Sequence, residues 1–190
     1  RIPLAADNLT PLAHDPAYCE LRPGGAGGDR EPVRLITELF SRGGITVLVG
    51  TAALLGEGWD APCLNSLILA STVGSYMLSN QMRGRAIRSR KDDPAKAAAL
   101  WHLVCVADDT DPQGQPLPGP DWETLQRRFL SFAGPTFDQP LIESGSERLA
   151  LGQPPFTADQ IATLNARTAA QAADRAGLIR QWQTSIAAAP

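Results

Sequence analysis

The sequence is poor in histidine and cysteine, two of the side chains that most often bind zinc and other transition metals. It contains two histidines and three cysteines, and Cys19, Cys63 and Cys105 are widely spaced. An odd number of separated cysteines predicts neither a disulfide framework nor a zinc ribbon. We therefore expect no metal site and a reducing, cytoplasmic location, and we interpret His102 as a strand residue.

The sequence also lacks the uninterrupted apolar run of about 20 residues that a membrane-spanning helix needs. Its first ten residues, RIPLAADNLT, do not begin with methionine and have no signal-peptide pattern. The 190 residues carry a formal net charge of −3 at pH 7. We expect a piece of a longer protein that has no membrane partner, and we favour a monomer.

A phosphate-binding loop is absent as well. No G-x-x-x-x-G-K-[ST] sequence occurs, and the glycine run GGAGGDR at 24–30 lacks the lysine and the serine or threonine that would bind phosphate and magnesium. No acidic D-E-x-D or D-E-x-H motif is present either. We interpret the glycine run as a loop.

The sequence does contain continuous apolar runs, which are typical of strands buried on both faces of a parallel sheet. These runs are ITVLVG at 45–50, SLILA at 66–70 and WHLVCV at 101–106, and AYCEL at 17–21 predicts a shorter strand. Apolar residues at helical spacing predict a helix that stops at Gly43 and another over 76–88. This order predicts a doubly wound α/β fold with right-handed crossovers.

The composition changes after the third apolar run. Four prolines within 107–120 predict a loop, and Asp121 is placed to cap the helix that follows. Further on, Thr157 and Gln160 have the spacing of a capping box and predict the start of another helix. That helix runs toward residue 187, with Gly177 as the predicted break.

An arginine-rich segment, QMRGRAIRSR at 81–90, stands out in this mildly acidic chain. On a helix, Gln81, Arg85 and Arg88 share one face because they are separated by four and three residues. Gly84 has no side chain, so a ligand or another backbone is able to approach. Such a face either binds phosphate, which guanidinium groups match in geometry, or is a solvated surface. The other two arginines are interpreted as ordinary surface: Arg83 and Arg90.

A second polar cluster follows the run at 45–50, in the sequence GTAALLGEGWDAP. Ligands of open α/β sheets bind at the carboxyl ends of strands, so Thr51, Gly58 and Asp60 are candidates for a binding site. The alternative is a loop whose glycines allow tight turns and whose Asp60 is a turn residue before Pro62.

Together, the two segments resemble the second RecA-like domain of superfamily 2 helicases and translocases. GTAALLGEGWDAP resembles motif V, and QMRGRAIR resembles motif VI in its Q-x-x-G-R-x-x-R form. Gln81 in place of a histidine is similar to the DEAH, excision-repair and type III restriction branches. The resemblance implies an α/β, RecA-like three-layer domain of the P-loop NTPase type, with a mainly parallel sheet over 1–135 and a helical extension over 136–190.

The resemblance also implies a role for each residue that matches a motif. Arg85 and Arg88 would reach the γ-phosphate of ATP in a cleft between two RecA-like domains, with Arg88 as the arginine finger. Thr51 and Gly50 would contact the backbone of a bound nucleic acid. Four residues would support cofactor binding: Gln81, Gly84, Asp60 and Gly58. Of these, Asp60 would lie near the ribose, and Gly58 would shape the turn.

The implied activity is that of an ATP-dependent motor whose catalytic site is shared between two domains. An N-terminal RecA-like domain of the same polypeptide would supply the phosphate loop, and ATP and Mg²⁺ would bind only to the full-length protein. The other partner is a nucleic acid, with DNA favoured over RNA. We expect this chain alone to bind no cofactor and not to hydrolyse ATP.

Two other interpretations remain open at this point. The chain could be a non-catalytic RecA-like scaffold for protein–protein contacts, in which the arginines face a partner's acidic surface. It could also be an unrelated nucleotide-binding α/β domain that acts by itself. An upstream phosphate-loop lysine and an acidic motif would favour the motor over the scaffold.

Overall fold

The computed structural model describes residues 9–22, 30–55, 59–70, 76–137, 139 and 141–188. The chain divides into two compact units, Arg1–Leu64 and Asn65–Pro190. The boundary expected between residues 135 and 136 lies inside the second unit, so the division into a motor domain and an extension stays a prediction. Among the described residues, no helix combines the length and the hydropathy that crossing a membrane requires.

The first unit begins with an antiparallel hairpin of β1 (Leu9–Leu12) and β2 (Asp15–Leu21). Strand β2 confirms the strand predicted at 17–21 and starts two residues earlier. The sequence pattern does not predict β1, because Pro11 lacks a backbone donor and disfavours a strand. Most side chains of the hairpin are exposed, so the hairpin adds little to the core of the unit.

Helix α1 (Arg30–Ser41) confirms the first predicted helix. Leu35 is its buried side chain. The chain leaves the helix through Gly43, whose φ of 75° is a left-handed conformation that glycine adopts without strain. The amides of Gly43 and Gly44 close the end by donating to the carbonyls of Phe40 and Leu39. The stop predicted at Gly43 is confirmed.

The strand predicted at 45–50 is wrong. The segment has no strand assignment and pairs with no strand in the described part of the chain. Val47 and Val49 are 76% and 89% exposed, so the run is not buried. A strand needs a neighbour that pairs its backbone donors and acceptors, and an apolar run supplies no such neighbour. A four-residue helix, α2 (Ala52–Leu55), follows the segment.

The second unit contains a succession of β3 (Ser66–Leu69), α3 (Tyr76–Ala86) and β4 (Ala99–His102). Strands β3 and β4 pair in parallel, with Ser66 opposite Ala99 and Leu69 opposite His102. Residues 87–98, which we call the connector, join α3 to β4. This arrangement is a parallel strand, helix, strand unit of the kind that builds α/β sheets.

Two of the three sequence predictions for this part are confirmed and one is shifted. Strand β3 and helix α3 lie where they are expected, although α3 ends at Ala86 instead of residue 88. Strand β4 starts two residues before the predicted run and ends at His102, so 103–106 lie outside it. Within the described residues β3 and β4 are the sole parallel pair, and a RecA-like sheet of mainly parallel strands stays a prediction.

The proline-rich stretch after β4 contains a small antiparallel ladder of β5 (Asp109–Thr110) and β6 (Pro116–Leu117). Helix α4 (Pro120–Leu130) follows and buries Trp122 and Leu125. The predicted cap at Asp121 is wrong, because Gly119, which has no side chain to donate or accept a capping hydrogen bond, occupies the capping position. Asp121 instead lies in the first turn, where its carboxylate accepts a hydrogen bond from the Cys105 amide at 3.3 Å.

The remaining elements include one more antiparallel pair, β7 (Ala133–Pro135) and β8 (Ile142–Ser144). Three helices follow this pair: α5 (Gly145–Leu149), α6 (Ala158–Ala173) and α7 (Arg175–Ala188). The capping box at the start of α6 is confirmed. The Gln160 amide donates to Thr157 Oγ1 at 3.2 Å, and the Thr157 amide donates to Gln160 Oε1 at 2.8 Å.

The break predicted at Gly177 is wrong, because the helices separate at Asp174. The Asp174 carboxylate accepts a hydrogen bond from the Gly177 amide at 2.8 Å and so closes the first turn of α7. A Cβ at residue 177 would collide with this carboxylate. The glycine is therefore required by the cap next to it and does not interrupt the helix.

Each unit has its own set of buried apolar side chains. Those of the first unit are Leu35, Trp59, Ala61 and Leu64. Those of the second unit are Leu69, Ala86, Ala99, Trp122 and Leu125. The second set lies on β3, α3, β4 and α4, so packing on the two parallel strands positions the arginine-rich end of α3.

Candidate functional site

The predicted site residues are divided between the two units. Gly50, Thr51 and Asp60 lie in the first unit. Gln81, Gly84, Arg85 and Arg88 lie in the second unit. Gly58 and its neighbours 56–57 lie outside the described residues, as does 23–29 of the glycine run.

The two predicted polar side chains on helix α3, Gln81 and Arg85, differ in their exposure to solvent. Gln81 is exposed, whereas Arg85 is only 9% exposed and lies next to the fully buried Ala86. At Gly84, an added Cβ would meet no atom of the described residues within 4 Å, apart from its chain neighbours and the backbone of α3 itself. The surface beside Gly84 is therefore open, as the approach of another group requires.

Arg88 is not on the face of α3 that helical spacing predicts. The helix ends at Ala86, and Ile87 retains one last hydrogen bond to the Arg83 carbonyl at 3.3 Å. Arg88 then lies two residues beyond the helix and is exposed. The prediction that Gln81, Arg85 and Arg88 share one helix face is therefore wrong for Arg88, because the spacing of 3.6 residues per turn does not apply beyond the last turn.

A lysine that the sequence argument misses completes the end of α3. Lys96 Nζ donates to the Ala86 carbonyl at 2.9 Å and to the Arg88 carbonyl at 2.8 Å. The last carbonyls of a helix have no partner within the helix, and a cation near them is favoured by the helix dipole. Lys96 lies ten residues after Ala86, too far along the chain for a capping pattern in the sequence to indicate the contact.

Arg83 is not ordinary surface, which corrects the sequence interpretation. Its guanidinium carbon lies 3.6 Å from the centroid of the Phe132 ring, a cation–π geometry, and its Nη1 is 3.4 Å from Asn80 Oδ1. Phe132 in turn meets Phe129 edge to face, with centroids 5.6 Å apart. This stack links α3 to the residues at the end of α4.

His102 joins the same cluster, with its ring 5.1 Å from that of Phe129. Burial, together with the positive charges of Arg128 and Arg83, lowers the pKa of His102 to about 4. The imidazole is therefore neutral near pH 7. It contributes packing to strand β4, as the sequence predicts, and no cationic charge.

Arg90 is on the surface, as predicted, and forms an ion pair within the connector. Its Nε and Nη2 atoms donate to the two carboxylate oxygens of Asp92 at 2.7 Å each. These hydrogen bonds lower the pKa of Asp92. The pair neutralises one of the four clustered arginines, so the segment is less cationic than its sequence suggests.

In the first unit, Thr51 begins the short helix α2. Thr51 Oγ1 accepts a hydrogen bond from the Leu54 amide at 3.3 Å, which is the geometry of an N-terminal cap. The Leu55 side chain fills the space next to Gly50, where an added Cβ would come within 2.7 Å of it. Thr51 is exposed, and Gly50 is a position that admits no side chain without rearrangement.

Asp60 is held at the surface by its neighbours. Trp59 and Ala61 are both buried, and Asp60 between them is exposed. The Trp59 indole donates a hydrogen bond to Thr37 Oγ1 on α1 at 2.8 Å. This anchor fixes the main chain on both sides of Asp60, so the carboxylate has a defined place in the first unit.

The arginine-rich segment at 81–90 and the segment around Asp60 contain the candidate site residues. Among the described residues, no group of three or more histidine, cysteine, aspartate or glutamate side chains is placed to hold a metal ion. Cys19, Cys63 and Cys105 are free thiols. No family model, no curated protein and no solved structure matches this chain.

Proposed function

We propose that the chain is the C-terminal motor domain of an ATP-dependent superfamily 2 helicase or translocase. The observation that carries this proposal is the end of α3, where Arg85 is buried and Arg88 is exposed two residues beyond the last turn. An exposed arginine whose main-chain carbonyl is held by a hydrogen bond from Lys96 suits a group that enters the catalytic site of another domain. The parallel unit of β3, α3 and β4 is compatible with a RecA-like domain.

In this proposal Arg88 is the arginine finger that stabilises charge on the γ-phosphate in the transition state. Such a finger raises the rate by roughly 10³ to 10⁵. Arg85 supports the same phosphate site from a more buried position, and the exposed Gln81 lies on the surface that faces the nucleotide. Gly84 leaves room for the other domain to approach, because its surroundings are open.

The residues of the motif V-like segment would contribute the ribose and nucleic-acid contacts. Asp60 is exposed and held between two buried residues, which suits a carboxylate that binds a ribose hydroxyl. Thr51 and Gly50 would contact the backbone of bound DNA or RNA, since both are exposed. Gly58 lies outside the described residues, and its proposed role is to shape the turn next to Asp60.

The absent half of the catalytic site would come from an N-terminal RecA-like domain. That domain would supply the phosphate loop and the acid that binds Mg²⁺, because this sequence has neither. ATP and Mg²⁺ would then bind only in the full-length protein. A titration of this chain with ATP in a calorimeter should detect negligible heat, whereas micromolar affinity would favour a nucleotide-binding domain that acts by itself.

The decisive test is Arg88→Ala in the full-length protein. We expect nucleic-acid-stimulated ATPase turnover to fall by about 10³-fold or more while ATP binding is retained, because the finger acts mainly in the transition state. Arg127→Ala is the matched control, since Arg127 is an exposed arginine on α4 outside the proposed site. Turnover that is unchanged in Arg88→Ala would overturn the motor assignment.

The scaffold interpretation is supported by one observation in the second unit. Ile68 on β3 and Leu103 just after β4 are large apolar side chains that are exposed, which is unusual for parallel strands. They would suit a surface that packs against another protein or domain. An upstream sequence that lacks a phosphate loop, together with no nucleic-acid-stimulated ATPase activity in the full-length protein, would favour this second candidate.

A further inference from the structure

The connector is tied to the end of α3 by one side chain. Lys96 Nζ donates to the carbonyls of Ala86, the last residue of α3, and of Arg88, at 2.9 Å and 2.8 Å. The two carbonyls lie on either side of Ile87. A single ammonium group therefore holds the main chain at the point where the helix stops and where Arg88 begins.

We propose that Lys96 is a positioning residue for Arg88, an inference that rests on the proposed function. The Ile87 amide makes the last hydrogen bond to the helix, so the direction of the main chain at Arg88 must be set by other contacts. Lys96 supplies such a contact at the carbonyl of Arg88 itself. An arginine finger acts only when its guanidinium meets the phosphate in the correct geometry, and a displacement of about 1 Å costs on the order of 10²-fold in rate.

The chemistry of this contact suits positioning. Both acceptors are main-chain carbonyls, so the contact fixes the backbone without involving the guanidinium of Arg88. The helix dipole favours a cation at this end of α3, which offsets repulsion from Arg83 and Arg85 in the last turn. Lys96 is half-buried; its hydrogen bond to Ala86 is partly buried, and the one to Arg88 is exposed.

The helical extension holds the same connector from the other direction. Arg175, the first residue of α7, donates to the carbonyl of Ala97 at 3.3 Å and to that of Asn65 at 3.4 Å. Ala97 is the neighbour of Lys96, and Asn65 directly precedes β3. The connector is thus fixed between α3 and α7, which gives the extension a part in the placement of Arg88.

The test is Lys96→Met in the full-length protein, with kcat and KM for ATP measured in the nucleic-acid-stimulated ATPase reaction. Methionine keeps the apolar stem and removes the donor. We expect kcat to fall by about 10- to 100-fold and KM to stay within about twofold, because positioning of the finger affects the transition state more than ground-state binding. Lys91→Met is the control, since Lys91 is an exposed lysine of the same connector and its loss should leave kcat unchanged.

A double variant separates positioning from a merely structural role. If Lys96 acts through Arg88, Lys96→Met should add no further loss of kcat to Arg88→Ala. A merely structural role predicts that less protein is folded, so the melting temperature falls and the losses of apparent kcat in the two single variants add up in the double variant. The kcat per ATP-binding molecule would then be unchanged by Lys96→Met. Additive losses, or an unchanged kcat in Lys96→Met, overturn the inference.

Arg175→Ala keeps the inference testable if Lys96→Met does not fold. It removes the second anchor of the connector and leaves Lys96 in place, and we expect kcat to fall by about 3- to 10-fold at unchanged KM. Unchanged kcat in a folded Arg175→Ala protein would then overturn the inference. Full activity in Arg88→Ala defeats the proposed function itself, whereas an impaired Arg88→Ala beside an unimpaired Lys96→Met defeats the positioning role alone.

Discussion

The two segments that carry the motif resemblance are held in place by different means. The arginine-rich end of α3 is tied by polar side chains, with Arg83 on the Phe132 ring and Lys96 on two carbonyls. The segment over 45–60 has a buried anchor in Trp59, while Val47 and Val49 are exposed. The difference teaches that a helix end can be completed by a single nearby cation, whereas an apolar strand needs a whole neighbouring strand.

Removal of the anchor in the first unit should have the largest effect on stability. Trp59→Ala is expected to lower the free energy of unfolding by about 3–5 kcal/mol, because a buried indole and its hydrogen bond to Thr37 are lost. Trp59→Phe should cost about 1–2 kcal/mol, chiefly through the missing donor. Denaturant titration measures both. Trp182→Ala is the control, since Trp182 is half exposed, and an equal loss in that variant would contradict the anchor role.

The glycines of the two segments should respond to alanine in opposite ways. At Gly50 an added Cβ meets the Leu55 side chain, so Gly50→Ala should destabilise the chain by about 1–2 kcal/mol. At Gly84 the space is open and the backbone is helical, so Gly84→Ala should be neutral or should stabilise the chain by up to about 1 kcal/mol. Melting temperatures of the two variants test the contrast. A loss of stability in Gly84→Ala would show that α3 is more closely covered than the structure indicates.

The smallest effect is expected where the sequence and the structure disagree most. Val49→Ser should change the free energy of unfolding by no more than about 0.5 kcal/mol, because Val49 is exposed. A buried strand at 45–50 predicts a loss of about 1–3 kcal/mol for the same change. Leu69→Ala on the buried position of β3 gives the reference, with an expected loss of about 2–5 kcal/mol. A large effect of Val49→Ser would restore the strand interpretation.

The sequence predicts local structure well where one short pattern contains both partners of an interaction. The Thr157 and Gln160 pair and the stop at Gly43 are confirmed because each capping contact joins residues three to five positions apart. The predicted cap at Asp121 is wrong because its carboxylate accepts a hydrogen bond from a distant donor, the Cys105 amide, which lies 16 residues earlier in the chain. A local pattern cannot reveal that donor.

The candidate site shows the same limit. The spacing of Gln81 and Arg85 correctly predicts a helix, but it does not predict that the helix ends before Arg88. It also does not predict the stacking of Arg83 on Phe132, which lies 49 residues further along the chain, or the contact of Lys96 with the helix end. These partners are brought together by packing around β3 and β4.

The sequence by itself determined the approximate positions of α1, α3, α4 and α6, the cap of α6 and the stop of α1, because these depend on residue types within a few positions of one another. The tertiary structure alone decided that Arg88 lies beyond α3, that Lys96 and Arg175 hold the connector, and that the apolar run at 45–50 is exposed. Such features depend on which distant backbone groups reach one another. The physical reason is that hydrogen bonds and burial are satisfied in space, while spacing along the chain constrains them only within a helix or a turn.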